Sequence, residues 1–146
     1  MEWEQGEYTI TTNKSRIDIN AVHRFLTHSS YWAAGISQET VERSINGSLC
    51  FSMLQGDKQV GFARVITDEA TFAYLADVFV LDEYRGKGLS KWLMQTIINY
   101  PTLQRLRRFM LSTKDAHRLY AQFGFKPLNN VERWMIIHKP DVYKKS

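Results

Sequence analysis

Apolar positions along the chain recur with two periods, and the switches between them mark out its elements. Residues 7–12 alternate as a first strand would. Asp18 is placed to cap a helix carrying Ile19, Val22, His23, Phe25 and Leu26 on one side and ending near His28. Tyr31-Trp32-Ala33-Ala34-Gly35 follows as an aromatic loop, and Ser37 caps a shorter helix through Val41 and Ile45. Period two then takes over. Residues 49–54, 60–66 and 72–80 are strand-type runs, separated by the polar turns Gly56-Asp57 and Thr67-Asp68-Glu69. Turns that short predict an antiparallel meander.

After Val80 the pattern changes again. Residues 81–88 form a polar loop with two glycines. Leu89, Trp92, Leu93, Ile97 and Tyr100 recur at helical spacing, and Pro101 stops that helix by disfavouring helical geometry at Tyr100. Residues 109–112 predict a short strand. Ala116, Leu119, Tyr120 and Phe123 make another helical stripe, closed by Gly124, and residues 134–137 predict a last strand. The predicted order is strand, two helices, three strands, helix, strand, helix, strand. That is a mixed sheet with helices on both faces, of the α/β (α+β) class. No repeat, low-complexity tract or linker interrupts it, so residues 1–146 are expected to form one domain.

Composition narrows the picture. Hydrophobic residues make up 44% and charged residues 23%, which is a globular balance. The formal net charge of +4 suits an anionic ligand and is also compatible with nucleic acid. The basic residues are scattered, apart from Arg105, Arg107 and Arg108, whose bland reading is a solvated helix end. With no basic stripe, no nucleic-acid partner is expected. The single cysteine, Cys50, cannot form an internal disulfide, and no spacing suggests a metal site. The acidic, polar start is unlike a secretory signal, and no apolar run approaches the ~20 residues that span a membrane. The expectation is a cytoplasmic protein without a membrane partner. Oligomeric state is open, a homodimer being one option.

The chemistry concentrates in Asp82-Glu83-Tyr84-Arg85-Gly86-Lys87-Gly88-Leu89-Ser90-Lys91. A helix start offers unpaired N–H groups and a positive dipole end, which together bind phosphate. Gly86 and Gly88 let the backbone approach a pyrophosphate closely. Arg85, Lys87 and Lys91 add charge, and Ser90 a hydroxyl. The dinucleotide fingerprint needs three glycines and the triphosphate loop needs Gly-Lys followed by Ser or Thr, so neither fits.

The loop and the later Leu119-Tyr120-Ala121-Gln122-Phe123-Gly124-Phe125 resemble the GNAT superfamily of acetyl-CoA-dependent N-acetyltransferases. That family carries Arg/Gln-x-x-Gly-x-Gly/Ala between its fourth strand and third helix. The six positions here are Glu83-Tyr84-Arg85-Gly86-Lys87-Gly88, with Glu83 departing from the usual first residue as it does in many members. The resemblance extends over the order of elements from about Tyr8 to Ile137. It implies the GNAT fold, a mixed, mostly antiparallel sheet of six to seven strands with about four helices on both faces.

The resemblance also implies residue roles. Val78, Phe79 and Val80 would pair with the pantetheine arm of acetyl-CoA, with the Val78 amide facing the thioester carbonyl as an oxyanion donor. The amides of Gly86, Lys87, Gly88, Leu89, Ser90 and Lys91, with Arg85 beside them, would hold the pyrophosphate. Thr113 falls where the family often has Asn and could bond the pantetheine arm. Tyr120 matches the family's usual general acid, although its helical period alone would equally make it a core residue. Asp77 stands in an apolar strand, where a carboxylate is costly unless paired or functional. It is a candidate for orienting or deprotonating the amine, or else bonds a partner such as Arg64 or Arg133. Tyr31 and Trp32 would clamp an amine through their ring faces or simply pack. His23 and His28 read as structural residues on their helix. The function implied is transfer of an acetyl group from acetyl-CoA to a primary amine, with no metal; the charge of Asp77, which would favour acceptors that arrive as cations, makes a small-molecule amine the expectation. A non-catalytic acyl-CoA-binding sensor is the alternative.

Overall fold

The computed structural model describes residues 1–144. Two strands, β1 (Glu2–Gln5) and β2 (Tyr8–Thr11), form an N-terminal hairpin turned at Gly6-Glu7. Helices α1 (Ile19–Ser29) and α2 (Gln38–Asn46) follow, then the meander β3 (Leu49–Gln55), β4 (Lys58–Thr67) and β5 (Phe72–Val80). Helix α3 (Leu89–Ile98), strand β6 (Arg108–Leu111) and the short helix α4 (His117–Ala121) complete the regular elements. The sheet order is β1-β2-β3-β4-β5-β6; every pair is antiparallel except β5 and β6, which are parallel.

Local chemistry starts both N-terminal helices where the sequence predicts. Asp18 Oδ1 accepts from the Ala21 amide and Ser37 Oγ from the Thr40 amide, both at 3.1 Å. Each cap contributes about 1 kcal/mol. The apolar stripes then bury on opposite faces of one sheet. Val22 and Leu26 of α1 and Val41 and Ile45 of α2 pack on Cys50, Phe62 and Phe79. Leu89, Leu93, Met94 and Ile97 of α3 pack on Phe51, Met53, Val65 and Leu75.

Three expectations need correction. The first strand has a partner ahead of it, β1, which was hidden because Glu-Trp-Glu-Gln offers only one apolar side chain. Trp3 carries the packing, stacked on Phe51 and edge-on to Tyr100. The stripe from Ala116 to Phe123 yields only the five-residue α4. The predicted strand at 134–137 does not form: these residues are exposed and unpaired, and follow a short 3-10 turn at Val131–Arg133. The preceding residue Asn130 is in the left-handed conformation at φ +51°. Strand propensity measures fitness for pairing, and none of the described strands pairs with these residues.

One irregularity shapes the site. Phe62 pairs with Phe79 and Arg64 with Ala76, so Asp77 and Val78 together oppose the single residue Ala63. This is a β-bulge, and Asp77 occupies it at φ +54°. The bulge inverts the facing of β5. Ala73 and Leu75 precede it on the α3 face, and Val78 and Val80 continue that face after it.

Candidate active site

The parallel pairing of β5 with β6 runs from Phe72–Arg108 to Leu75–Leu111 and stops there. Beyond it, β5 continues through the bulge to Val80, hydrogen-bonded to β4 on one side only. The two strands therefore part at their C-terminal ends, leaving the β6-facing edge of Val78, Phe79 and Val80 without a strand neighbour. An extended chain of amides can bond such an edge as a strand would.

The cleft runs on to the start of α3. Arg85, Gly86, Gly88, Leu89, Ser90 and Lys91 line a cavity of about 420 Å³, with Tyr84 on one side and Leu119 of α4 on the other. Gly86 and Gly88 adopt φ +79° and +76°, a region that strains any other L-residue, and a Cβ added at either would meet no atom within 4 Å. Gly88 starts α3 without a capping side chain, and the first helical bond runs from the Trp92 amide to the Gly88 carbonyl. The amides of Leu89, Ser90 and Lys91 precede that bond, so their donors have no partner within the helix, and all three residues line the cavity. Arg85 is partly engaged, at 3.1 Å from Asp82 and 3.3 Å from the Val80 carbonyl. Lys87 lies 5.4 Å from the Tyr84 ring centroid. The backbone donors and these cations fit a pyrophosphate.

Asp77 is engaged on both oxygens. Oδ2 accepts from Arg64 Nε and Oδ1 from Trp32 Nε1, each at 2.8 Å. The Arg64–Asp77 pair is largely buried, with side-chain exposures of 15% and 9%, so the charges are neutralised within the protein. Arg64 also donates to Ser48 Oγ at 3.1 Å. The ion pair offsets the left-handed backbone at Asp77, which costs of order 1–3 kcal/mol.

Trp32 is thus fixed to β5, and its neighbour Tyr31 is fixed across the cleft. The Lys114 amide donates to the Tyr31 hydroxyl at 3.0 Å. The two rings meet edge to face at 5.1 Å, and Phe25 extends the wall by stacking on Phe79 at 4.0 Å. Tyr120 stands on α4 beside Phe125, their ring centroids 6.0 Å apart. Burial, then the neighbouring Tyr31 and Asp115, hold its phenol above the ordinary value. Among the described residues its hydroxyl has no hydrogen-bond partner. Thr113 accepts from the Ala116 amide at 3.0 Å and braces the turn into α4. His23 bonds the Ile36 carbonyl at 2.9 Å, tying α1 to the loop before α2.

The structure thus brings the glycine loop, the α3 start and Leu119 of α4 around one cavity, with the open β5 edge leading into the loop and Tyr31 and Trp32 bonded to Lys114 and to Asp77 of β5. Arg64, Ser48 and Phe25 complete the support. Arg64 was visible beforehand only as one of two possible partners for Asp77. Phe25 read as an ordinary core position of α1.

A family model, Acetyltransferase (GNAT) family, matches residues 19–125. The chain belongs to this family. A Gibberella zeae protein, FG08082, assigned as an acetyltransferase, is 30% identical, the match covering 82% of this chain and 79% of that protein. The crystal structure of a GNAT-family protein from Xanthomonas campestris pv. campestris is 46% identical, covers 97% of this chain and 100% of its own, and superposes with a TM-score of 0.94. An acetyltransferase structure from Clostridium acetobutylicum, with acetyl-CoA, shares the fold at TM-score 0.66 and 11% identity, covering 90% of this chain and 94% of that one. GNAT enzymes are acetyltransferases that use acetyl-CoA, and the six-stranded, mostly antiparallel sheet with four helices is their fold. Among the described residues, no helix is long and apolar enough to cross a membrane.

Proposed function

We propose that this GNAT protein acetylates a primary amine on a small molecule, by direct attack of the neutral amine on the thioester of acetyl-CoA. The observation that carries the reading is the parting of β5 from β6 after Leu75 and Leu111, with β5 leading on through a short turn to the uncapped start of α3. The amides at Leu89 to Lys91 hold the pyrophosphate, and the edge of Val78, Phe79 and Val80 takes the pantetheine arm. Acetyl-CoA supplies an activated acyl carbon with a thiolate leaving group.

The chain's own groups then act in sequence. The Val78 amide donates to the thioester oxygen as negative charge gathers there. The amine nitrogen forms the new C–N bond, and the C–S bond breaks with its electron pair going to sulfur. Tyr120 gives its phenolic proton to that sulfur, and the amine loses its extra proton to water. A phenol held above its ordinary pKa stays protonated through the neutral range, as an acid must. Tyr31 and Trp32 present ring faces to the body of the amine. Asp77, with both oxygens engaged, acts here through Trp32: it is a positioning residue for the acceptor wall. Thr113 supports α4 and offers its hydroxyl proton to the pantetheine arm.

The test is thiol release from acetyl-CoA with a panel of small primary amines, beside peptides with free N-termini. The reading expects amine-dependent release, fastest with a small-molecule amine. Tight acetyl-CoA binding without release for any amine would instead leave a non-catalytic acyl-CoA sensor.

A further inference from the structure

Arg64 carries more donors than the fold uses. A guanidinium has several N–H groups in a rigid plane and no acceptor. Here Nε donates to Asp77 Oδ2 at 2.8 Å and Nη1 to Ser48 Oγ at 3.1 Å. Ser48 is itself committed, since its hydroxyl donates to the Ser44 carbonyl at 2.7 Å. The head group is therefore pinned at two points, and Nη2 has no acceptor among the described residues. Nor is Nη2 sealed away. Among the described residues, the fully buried side-chain polar atoms without a partner are the hydroxyls of Tyr8 and Ser52, and the Arg64 side chain keeps 15% exposure. The free nitrogen thus opens on accessible space. A fixed guanidinium edge of this kind suits a carboxylate.

Its neighbours belong to the acceptor wall. Asp77 holds Arg64 through one oxygen and the Trp32 indole through the other, so cation and ring are one carboxylate apart. The pair is electrically balanced. A ligand with a net charge would leave one half of it uncompensated, whereas a zwitterion complements both halves, its ammonium toward Asp77 and its carboxylate toward Arg64. The two protein charges are in contact, so the two ligand charges must be equally close. An amine and a carboxylate on one carbon meet that requirement. The remainder of such a ligand would meet rings. Trp32 and Tyr31 are 40% and 58% exposed, and Phe25 backs Trp32 at 6.3 Å between centroids.

We propose that the acceptor is an α-amino acid with an apolar or aromatic side chain, its carboxylate held by Arg64 Nη2; this rests on the reading of the site as an acetyltransferase centre. Arg64 is then a specificity-determining residue, and Ser48 positions it. The amino acid binds as a zwitterion and loses one proton to water. Its nitrogen forms the C–N bond as the C–S bond breaks, the sulfur takes the Tyr120 proton, and the second amine proton leaves to water and restores Tyr120 through solvent. The products are the N-acetyl amino acid and CoA.

Two matched pairs test it on the wild-type chain: L-phenylalanine against phenethylamine, and L-leucine against isopentylamine. Within each pair only the carboxylate differs. Thiol release from acetyl-CoA should show KM lower for the amino acid by roughly tenfold to a hundredfold, the worth of one hydrogen bond between charged groups. Calorimetric titration should show the same preference without turnover, with N-acetyl-L-phenylalanine binding more tightly than N-phenethylacetamide. Arg64→Lys keeps a cation beside Asp77 and loses the planar fork. In the folded variant the preference should shrink by about tenfold, with less change for the decarboxylated amines. Equal KM and equal affinity within the pairs overturn the proposal, and amine-dependent release alongside that equality leaves the acetyltransferase reading standing. An undiminished preference in folded Arg64→Lys also overturns it. Release with no amine of either kind overturns the underlying reading, and the acceptor with it.

Discussion

The indole of Trp32 donates to Asp77 Oδ1 at 2.8 Å, joining the α1–α2 loop to a β5 residue 45 positions later. The other oxygen of Asp77 holds Arg64 at 2.8 Å. One carboxylate thus fixes a bulge, a buried cation and the aromatic wall of the cleft.

Asp77→Asn keeps the size of the side chain, and Asn tolerates the left-handed backbone that Asp77 occupies at φ +54°. The substitution therefore isolates the charge. It leaves the largely buried Arg64 guanidinium without a counter-ion, and should cost about 3 kcal/mol or more of stability. Trp32→Phe keeps most of the ring and removes only the donor. It should cost about 1 kcal/mol and raise KM for the amine with a smaller change in kcat. Chemical denaturation and steady-state kinetics check both. An Asp77→Asn protein of wild-type stability but with kcat sharply reduced would make Asp77 a proton carrier instead.

Tyr120→Phe removes one hydroxyl and keeps the packing on Phe125. Turnover should fall by ~10²-fold while acetyl-CoA affinity is kept. The wild-type phenol is held above its ordinary value, so its deprotonation should not limit kcat until pH exceeds about 10. A kcat profile of both proteins measures this. Equal turnover in Tyr120→Phe would return Tyr120 to the core.

Cys50 gives a stability prediction with a defined pH window. Burial pushes its thiol from the ordinary value of 9.0 up to about 11. Below pH 9 both folded and unfolded chains keep the proton, so the group has no differential effect. Between pH 9 and 11 only the unfolded chain releases it, and stability falls as pH rises. Two pKa units correspond to about 3 kcal/mol. Cys50→Ala should flatten the fall in denaturation free energy over this window, at the expense of some packing throughout. Parallel pH dependences in the two proteins would contradict the assignment.

Legibility in the sequence followed the range of the interactions. The caps at Asp18 and Ser37 and the glycines of the phosphate loop act over a few residues, and their elements start where the residues predict. The bulge was also written locally. Ala73 and Leu75 share a face with Val78 and Val80, a break in alternation visible at Ala76-Asp77. Both residues are nevertheless flanked by apolar ones that suit a plain buried strand. The cleft was not legible, since it depends on where β6 stops pairing with β5. The strand expected at 134–137 failed for the complementary reason: its pattern records only a capacity to pair, and none of the described strands pairs with it. Glu2–Gln5 forms a strand despite a polar pattern because β2 supplies its partner.

The central claim is that acetyl-CoA lies along the open β5 edge with its pyrophosphate on the start of α3. Gly88→Asp tests it most directly. At φ +76° the new side chain projects into the open space of the cleft and sets a carboxylate against the amides of Leu89, Ser90 and Lys91. Calorimetric titration of acetyl-CoA into wild type should give saturable one-to-one binding. Titration into Gly88→Asp should lose at least ~10²-fold in affinity, about 2.7 kcal/mol, with folding confirmed by circular dichroism. Binding of equal strength in the folded variant would contradict this placement of the cofactor.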